Sequence, residues 1–278
     1  MVKNIDSFKI LFQDEYIAII YKPSGLLSVP YPGGHGKTAL DMLETVMRKQ
    51  GTWNKGHHPF AVHRLDRDTS GVLMFALSYQ AQQKIMNTWH TMVTERLYRA
   101  VGENPKASTK QQMHKKALAD SGLIDAPLAQ NAYHQSYVPT NVQKTEKQNV
   151  SNTTKQHTDT HHHKRRSTSI NTKQTFKDTA KLTLSPARTH YKIIEQGSTY
   201  TLFELSLDTG KKNQIRAHLA YLGYPLAGDS NYRASTNPFH RLALHARTLD
   251  FVHPYTAKKM HFEVPEPANW QQTVIKAH

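Results

Sequence analysis

A crowded charged loop followed at once by an apolar run constrains this chain more than any other feature. The stretch Ala61–Ala76 reads AVHRLDRDTSGVLMFA, in which a turn-forming Thr-Ser-Gly separates the charged residues from the apolar ones. A short apolar run bounded by turn residues predicts a buried strand. The charged residues therefore lie on an ordered loop at the end of a strand, where folds place much of their chemistry.

The charge of the chain indicates which kind of partner it would bind. The 278 residues carry a formal net charge of +15, so the surface attracts polyanions, with nucleic acid expected ahead of an acidic membrane surface. The chain has no cysteine, which excludes disulfides, thiolate metal sites and cysteine nucleophiles. It shows neither a membrane-spanning apolar run nor a signal peptide, so we expect a cytoplasmic protein with no membrane partner.

Alternating and continuous apolar patterns predict several further strands. The predicted strands are Lys9–Phe12, Tyr16–Tyr21, Thr94–Val101, Ala187–Ile194 and Tyr200–Leu207. The last two are separated by Gln196-Gly197-Ser198, which predicts a hairpin turn.

Three helices have recognisable ends. Thr38 and Ser78 each precede apolar residues at helical spacing and are typical N-caps. Gly51 ends the first of these helices, and Gly223 with Pro225 ends a third one that opens near the stretch Thr209–Arg216.

The charged loop resembles the signature of a known enzyme family. The string His63-Arg64-Leu65-Asp66-Arg67-Asp68-Thr69-Ser70-Gly71 is similar to the signature loop of RNA pseudouridine synthases of the RluA family, in which the first Asp is catalytic. Arg96–Ala100 resembles the second motif of that family, Arg-x-Tyr-x-Ala. Thr209–Arg216 resembles the third, Thr-Gly-(Arg/Lys)-x-x-Gln-Ile-Arg. The similarity runs nearly from end to end, with one insertion.

The resemblance implies a fold and a domain organisation. It implies an α+β pseudouridine synthase fold, with a long mixed, mostly antiparallel sheet, flanking helices and a central cleft. Residues 1–278 would form a single catalytic domain. Because the catalytic pattern begins close to the first residue, we expect no small RNA-binding domain before it.

The resemblance also implies the reaction and its residues. Specific uridines in structured RNA, either ribosomal RNA or tRNA, would be isomerised to pseudouridine by a monomer that needs no cofactor and no metal. Asp66 would be the catalytic carboxylate, attacking the sugar or removing a proton from it. Arg216 would pair with Asp66, and Tyr98 would stack on the uracil and later accept the proton from C5. His63 is interpreted as a hydrogen-bonding residue that orders the loop.

Four residues are predicted to bind RNA: Arg64, Lys211, Lys212 and Gln214. Arg64 would fill the place that the extruded base leaves in the RNA. Lys211 stands where many family members carry Arg, a change that keeps the positive charge but loses the bidentate fork.

One segment departs from the family pattern. Residues 106–181 hold 13 Lys and Arg against 5 Asp and Glu, a net +8. Within them, residues 137–180 are mostly Thr, Gln, Asn, Lys and His, and such a composition buries too little apolar surface to offset its ordering entropy. We predict a mobile, low-complexity basic insertion, either a polycationic tether for RNA or a segment without function.

Two other classes of function stay open on the sequence. An RNA-binding protein without catalysis would share the basic surface. A sugar-nucleotide transferase could use Asp66 and Asp68 as a metal-binding pair, but it would need a nucleotide-binding α/β half where the N-terminal third shows paired strands.

Overall fold

The computed structural model describes residues 7–33, 36–105, 118–139 and 183–276. Its strands are β1 (Lys9–Gln13), β2 (Ile17–Lys22), β3 (Phe60–Ala61), β4 (Ser70–Ala76), β5 (Val93–Glu103), β6 (Ser121–Asp125), β7 (Ala129–Gln130), β8 (Ser136–Tyr137), β9 (Arg188–Gln196), β10 (Tyr200–Leu207), β11 (Leu244–Val252) and β12 (Lys259–Glu263). Its helices are α1 (Ala39–Gln50), α2 (Tyr79–Met92), α3 (Gln214–Leu222) and α4 (Asn269–Lys276). Residues 140–180 of the predicted insertion lie outside the described ranges.

Most of the described strands form one mixed sheet. Its order is β1-β2-β4-β11-β5-β10-β9-β6, with β3 added to β4 and β12 added to β11. β4 and β11 pair in parallel, and their neighbours along this order pair antiparallel. The predicted α+β fold, with a mostly antiparallel mixed sheet and flanking helices, is confirmed.

The apolar runs of β2 and β4 form strands because helices cover both of their faces. Every residue of these two strands is buried. Ile19 and Met74 pack towards α2, whereas Ile20 and Phe75 pack towards α1. A strand buried on both faces has no polar alternation, which explains the continuous apolar run that follows the charged loop.

The other half of the sheet repeats this arrangement with α3 and α4. Phe203 and Leu205 of β10 pack on one face with Ile215 of α3. Leu202 packs on the opposite face with Trp270 of α4. The two halves therefore have separate hydrophobic clusters, and β11, which pairs with β4, contributes residues to both of them.

The junction between the halves is short and depends on a glycine. β4 and β11 pair only through His245 with Ser70 and Ala246 with Gly71. Gly71 has φ 128°, and a Cβ there would lie 2.1 Å from the Ala246 carbonyl oxygen. Only glycine permits both that backbone conformation and that approach. The charged loop ends at this junction and so lies at the middle of the sheet.

A buried histidine bridges the two strands of the junction. His245 is 1% exposed, its Nδ1 lies 2.7 Å from Ser70 Oγ and its Nε2 lies 2.8 Å from the Val264 carbonyl oxygen. The carbonyl can only accept, so Nε2 carries the proton and Nδ1 accepts from the serine hydroxyl. Burial lowers the pKa of His245 to about 4.

We expect this histidine to make the fold sensitive to acid. Between pH 6.5 and 4 the unfolded chain binds a proton at residue 245 that the folded chain does not bind, so the free energy of unfolding falls as the pH falls. The slope is at most about 1.4 kcal/mol per pH unit for one such group. Urea unfolding at pH values from 7.5 to 4.5 measures it. His245→Asn should reduce the slope, the exposed His90→Gln should leave it unchanged, and equal slopes in all three proteins would contradict the assignment.

No helix within the described ranges combines the length and the apolar character that crossing a bilayer requires.

Candidate active site

A buried lysine at the end of β2 forms hydrogen bonds with the charged loop. Lys22 is fully buried at the end of β2, and its Nζ donates to the carbonyl oxygens of Pro23, Leu26 and Arg67 at 3.0, 2.6 and 2.9 Å. Burial lowers the pKa of Lys22 to about 7, and the charge of Asp68 opposes that shift. Three carbonyl acceptors match the three donors of an ammonium group. Lys22 thus ties the loop to the sheet one residue away from Asp66.

Further hydrogen bonds fix the loop on either side of Asp66. Ser28 Oγ donates to the Leu65 carbonyl at 2.8 Å and accepts from the Leu65 N–H at 3.1 Å. The Thr69 N–H donates to the Asp66 carbonyl at 3.1 Å and closes a turn. His63 Nε2 accepts from the Met74 N–H at 3.0 Å, which confirms that this histidine orders the loop.

His63 is not in a state to take part in proton transfer. Burial, assisted by the positive charge of Arg96, lowers its pKa to about 3. The ring is therefore neutral at neutral pH. Its Nε2 is occupied by the backbone of β4, so the structure gives it no role as an acid or base.

The Asp66 carboxylate meets two side chains from the distant α3 region. Asn213 Nδ2 donates to Asp66 Oδ2 at 2.7 Å, and Arg216 Nη1 lies 3.4 Å from the same oxygen. The Asp66 side chain is 24% exposed, so it is held by protein and still open to a ligand. The predicted pairing of residues 66 and 216 is present, but Arg216 is the more distant of the two partners.

The principal partner of Arg216 is Asp229. Arg216 donates through Nε to Asp229 Oδ2 at 2.7 Å and through Nη2 to Asp229 Oδ1 at 2.8 Å, a bidentate pair. The guanidinium carbon also lies 4.9 Å from the centre of the Tyr232 ring. Burial acts to lower the pKa of Arg216, but the hydrogen bonds and charge of Asp229 raise it above its ordinary value. Arg216 therefore stays positively charged, and Asp229 holds its side chain in place.

Gln214 holds the loop that carries Asn213. It is 2% exposed, and its amide oxygen accepts from Thr209 Oγ1 at 2.8 Å and from the Lys211 N–H at 3.0 Å. Its amide nitrogen donates to the Arg188 carbonyl at 2.9 Å and to Thr189 Oγ1 at 3.0 Å. All four hydrogen-bonding positions of the amide are used inside the protein. Gln214 nevertheless borders the cleft described below, and its contact with RNA stays a prediction.

The catalytic and RNA-binding candidates line one open cleft of about 380 Å³, a size typical of small-molecule sites. The cleft contains Asp66, Tyr98 and Arg216 together with Arg64 and the loop of residues 210–213. Burial raises the pKa of Tyr98, and the negative charge of Asp66 adds to this against the opposing charge of Arg96. The phenol therefore keeps its proton.

The predicted RNA-binding cations lie at the rim of this cleft. Arg64, Lys211 and Lys212 are exposed and line it. They come from two loops far apart in the sequence, and their charges meet only in the folded chain. The cleft combines a carboxylate on its wall with a cationic rim, so it suits a polyanion that presents a reacting group inwards.

Sequence reasoning missed two of the groups in contact with the predicted residues. Asn213 occupies an x position of the third motif, so the motif gives no reason to choose it. Asp229 lies outside the three motifs, so the resemblance gives it no role. An acidic residue near an expected buried arginine could have suggested Asp229, whereas no signal in a single sequence points to Asn213.

Comparisons with known proteins agree with the resemblance to RNA pseudouridine synthases. A family model described as RNA pseudouridylate synthase matches residues 16–221. An uncharacterised RNA pseudouridine synthase of Bacillus subtilis is 30% identical over 275 residues, which cover 97% of this chain and 72% of that protein. The ribosomal large subunit pseudouridine synthase D of Nitrosomonas europaea is 29% identical over 268 residues, which cover 93% of this chain and 62% of that protein. The chain thus spans less than three quarters of either relative.

A solved structure supports the fold. The human RNA pseudouridylate synthase domain containing 4 covers 94% of this chain and 89% of its own, with a TM-score of 0.60 and 19% sequence identity. Because the family model spans well over half of the sequence, the chain belongs to the RNA pseudouridine synthase family and is of the RluA type.

Proposed function

We propose that this pseudouridine synthase isomerises uridine in structured RNA with Asp66 as its catalytic carboxylate. The observation that carries the proposal is the position of Asp66. It lies in a cationic cleft, on a loop fixed by Lys22 and Ser28, and its carboxylate is in contact with Asn213 and Arg216. A carboxylate in this position can attack the sugar or remove a proton from it.

The target uracil must leave its base stack in the RNA to reach this carboxylate. Extruding a base from structured RNA costs a few kcal/mol. Contacts of the protein with the flipped uracil and with the RNA backbone offset this cost. We propose that the Arg64 side chain fills the gap that the base leaves in the RNA. Lys211 and Lys212 then bind the RNA phosphates. In this scheme each of these exposed cations contributes an electrostatic contact that weakens with added salt.

We assign Tyr98 to stacking on the uracil. Its ring borders the cleft that contains Asp66, and its raised pKa keeps the hydroxyl protonated. A neutral phenol is a weak base, so we give stacking precedence over the acceptance of the C5 proton. Base–aromatic stacking contributes about 1–3 kcal/mol per base, enough to hold an extruded uracil.

We propose large-subunit ribosomal RNA as the first substrate class. The support is the name of the relative from Nitrosomonas europaea, a ribosomal large subunit pseudouridine synthase. Transfer RNA is the second class.

The test is tritium release from RNA labelled at uracil C5. Unmodified transcripts of large-subunit ribosomal RNA and of tRNA are incubated with the protein, because each isomerisation releases one C5 hydrogen. We expect stoichiometric release from the ribosomal transcript and little from tRNA. The reverse result would move the proposal to tRNA, and binding of both transcripts without release would favour the alternative, an RNA-binding protein without catalysis.

A further inference from the structure

The residue before α3 has an unusual backbone and an unusual partner. Asn213 has φ 53° and ψ 23°, in the left-handed region. It occupies the N-cap position of α3, but its side chain makes no capping hydrogen bond to that helix. Instead, Nδ2 donates to Asp66 Oδ2 at 2.7 Å, across 147 residues of sequence.

This arrangement differs from what the local sequence favours. An Asn at an N-cap normally accepts a hydrogen bond from a backbone N–H of the first helical turn, and it does so with an extended backbone. Asn is also among the few residues that tolerate the left-handed region, so its presence there is allowed. Conformations of this kind persist where the surroundings impose them, often at functional sites. Here the carboxamide is directed away from the helix and towards Asp66.

The loop around Asn213 is held by hydrogen bonds within the protein. Gln214 fixes it through four hydrogen bonds, including those to Thr209 and the Lys211 N–H. The carboxamide of Asn213 therefore sits on a support fixed by buried groups, and its direction is set by the fold. This is the condition for a group that positions another one, because a mobile donor would not restrict the carboxylate.

Both contacts of the Asp66 carboxylate end on the same oxygen. Asn213 and Arg216 approach Oδ2, and within the described part of the chain no hydrogen bond or ion pair reaches Oδ1. A hydrogen bond at 2.7 Å to one oxygen fixes the plane of the carboxylate, whereas the arginine at 3.4 Å fixes it less. The protein therefore holds Oδ2 of Asp66, whereas Oδ1 is available to react.

We propose that Asn213 is a positioning residue that holds Asp66 by Oδ2 and leaves Oδ1 as the reacting oxygen. The proposal rests on the proposed function, in which Asp66 is the catalytic carboxylate. It assigns Asn213 to orientation of the carboxylate and Arg216 to its charge. Losing orientation lowers the rate of the chemical step, and a displacement of the order of 1 Å can cost about 100-fold.

Two substitutions separate the carboxamide from the backbone conformation. Asn213→Gly keeps the left-handed backbone without strain and removes the donor. We expect kcat to fall about 10- to 100-fold, with KM and RNA affinity within about 3-fold, since no RNA contact is assigned to this side chain. Asn213→Asp keeps the shape but places a carboxylate against Asp66. Because a like charge disfavours the ionised form, the acidic limb of the kcat–pH profile should move to higher pH.

The chain offers a matched control for the glycine substitution. Ala257 is an exposed residue with φ 56° in the β11–β12 turn, far from the cleft in sequence and element. Ala257→Gly makes the same backbone change and should leave kcat and the pH profile as in the wild type. Wild-type kcat for Asn213→Gly, or an unshifted profile for Asn213→Asp, would overturn the proposal.

The outcomes also separate this inference from the proposed function. If the wild-type protein releases no tritium from either RNA, the proposed function fails. If the wild type is active, Asp66→Asn is inactive and Asn213→Gly is as fast as the wild type, the role of Asn213 alone fails. A loss that appears in KM and not in kcat would reassign Asn213 to substrate binding and likewise overturn the proposal.

Discussion

Asp66→Asn is expected to abolish pseudouridine formation while RNA binding stays within a few-fold of the wild type. The amide has nearly the same shape as the carboxylate, but it has no negative charge with which to attack a sugar or remove a proton. Loss of a covalent or base catalyst of this kind lowers turnover by at least about 10⁴-fold. Removing one negative charge from a cleft with a cationic rim should not weaken its attraction for RNA. Tritium release measures turnover, and a filter-binding assay measures affinity.

Asp68→Asn is the control for this substitution. Asp68 belongs to the same loop, and its exposed carboxylate contributes only its charge to Lys22. Its backbone carbonyl, which Asn leaves unchanged, accepts from Ser24 Oγ at 2.7 Å. Most activity should therefore survive. Measurable steady-state turnover by Asp66→Asn would refute the assignment of Asp66, and equal losses in both variants would indicate damage to the loop as a whole.

The sequence predicted the elements around the cleft because local chemistry specifies them. Thr38 caps α1 with a capping box that includes Asp41, and Gly51 ends the helix in the left-handed conformation. Ser78 caps α2 by accepting from the Ala81 N–H. Such signals act over a few residues, so a single sequence is enough to find them.

The contacts within the cleft were harder to predict because they join distant segments. Motif similarity brought Asp66, Tyr98 and Arg216 together, and the fold places all three at one cleft. It did not reveal that Asp229 is the main partner of Arg216, because nothing in the spacing of residues 216 and 229 fixes their side chains face to face. It also did not reveal that Gln214 is buried, because that burial depends on packing against the end of β9.

Arg216→Leu is expected to lower both stability and activity, and the structure explains why a single substitution cannot separate the two effects. The Asp229 side chain is 1% exposed and receives two hydrogen bonds from the guanidinium. Without them a buried carboxylate is left unpaired, which costs about 3–5 kcal/mol of the free energy of unfolding. The same substitution removes the cation beside Asp66. A loss of turnover in this variant could therefore come from either cause.

The double variant Arg216→Leu/Asp229→Leu separates them. Replacing both members of a buried ion pair by apolar residues is often neutral for stability, because no unpaired charge remains. We expect the double variant to regain most of the stability that the single variant loses, as measured by urea unfolding. Turnover should stay at least about 100-fold below the wild type, because Asp66 still lacks its cation. Arg48→Leu is the control. It removes a partly exposed pair with Glu44 on α1 and a contact with the Trp53 ring, and it should cost about 1–2 kcal/mol.

The coupling between the two substitutions decides what Arg216 does. Stability that recovers while turnover does not means that the arginine acts on Asp66 itself. Recovery of both to near wild-type values would mean that Arg216 serves only to neutralise Asp229, and the contact at 3.4 Å to Asp66 would have no part in the reaction. The two results differ because Arg216 contacts two carboxylates, one buried and one open to the cleft, and only the second can meet a substrate.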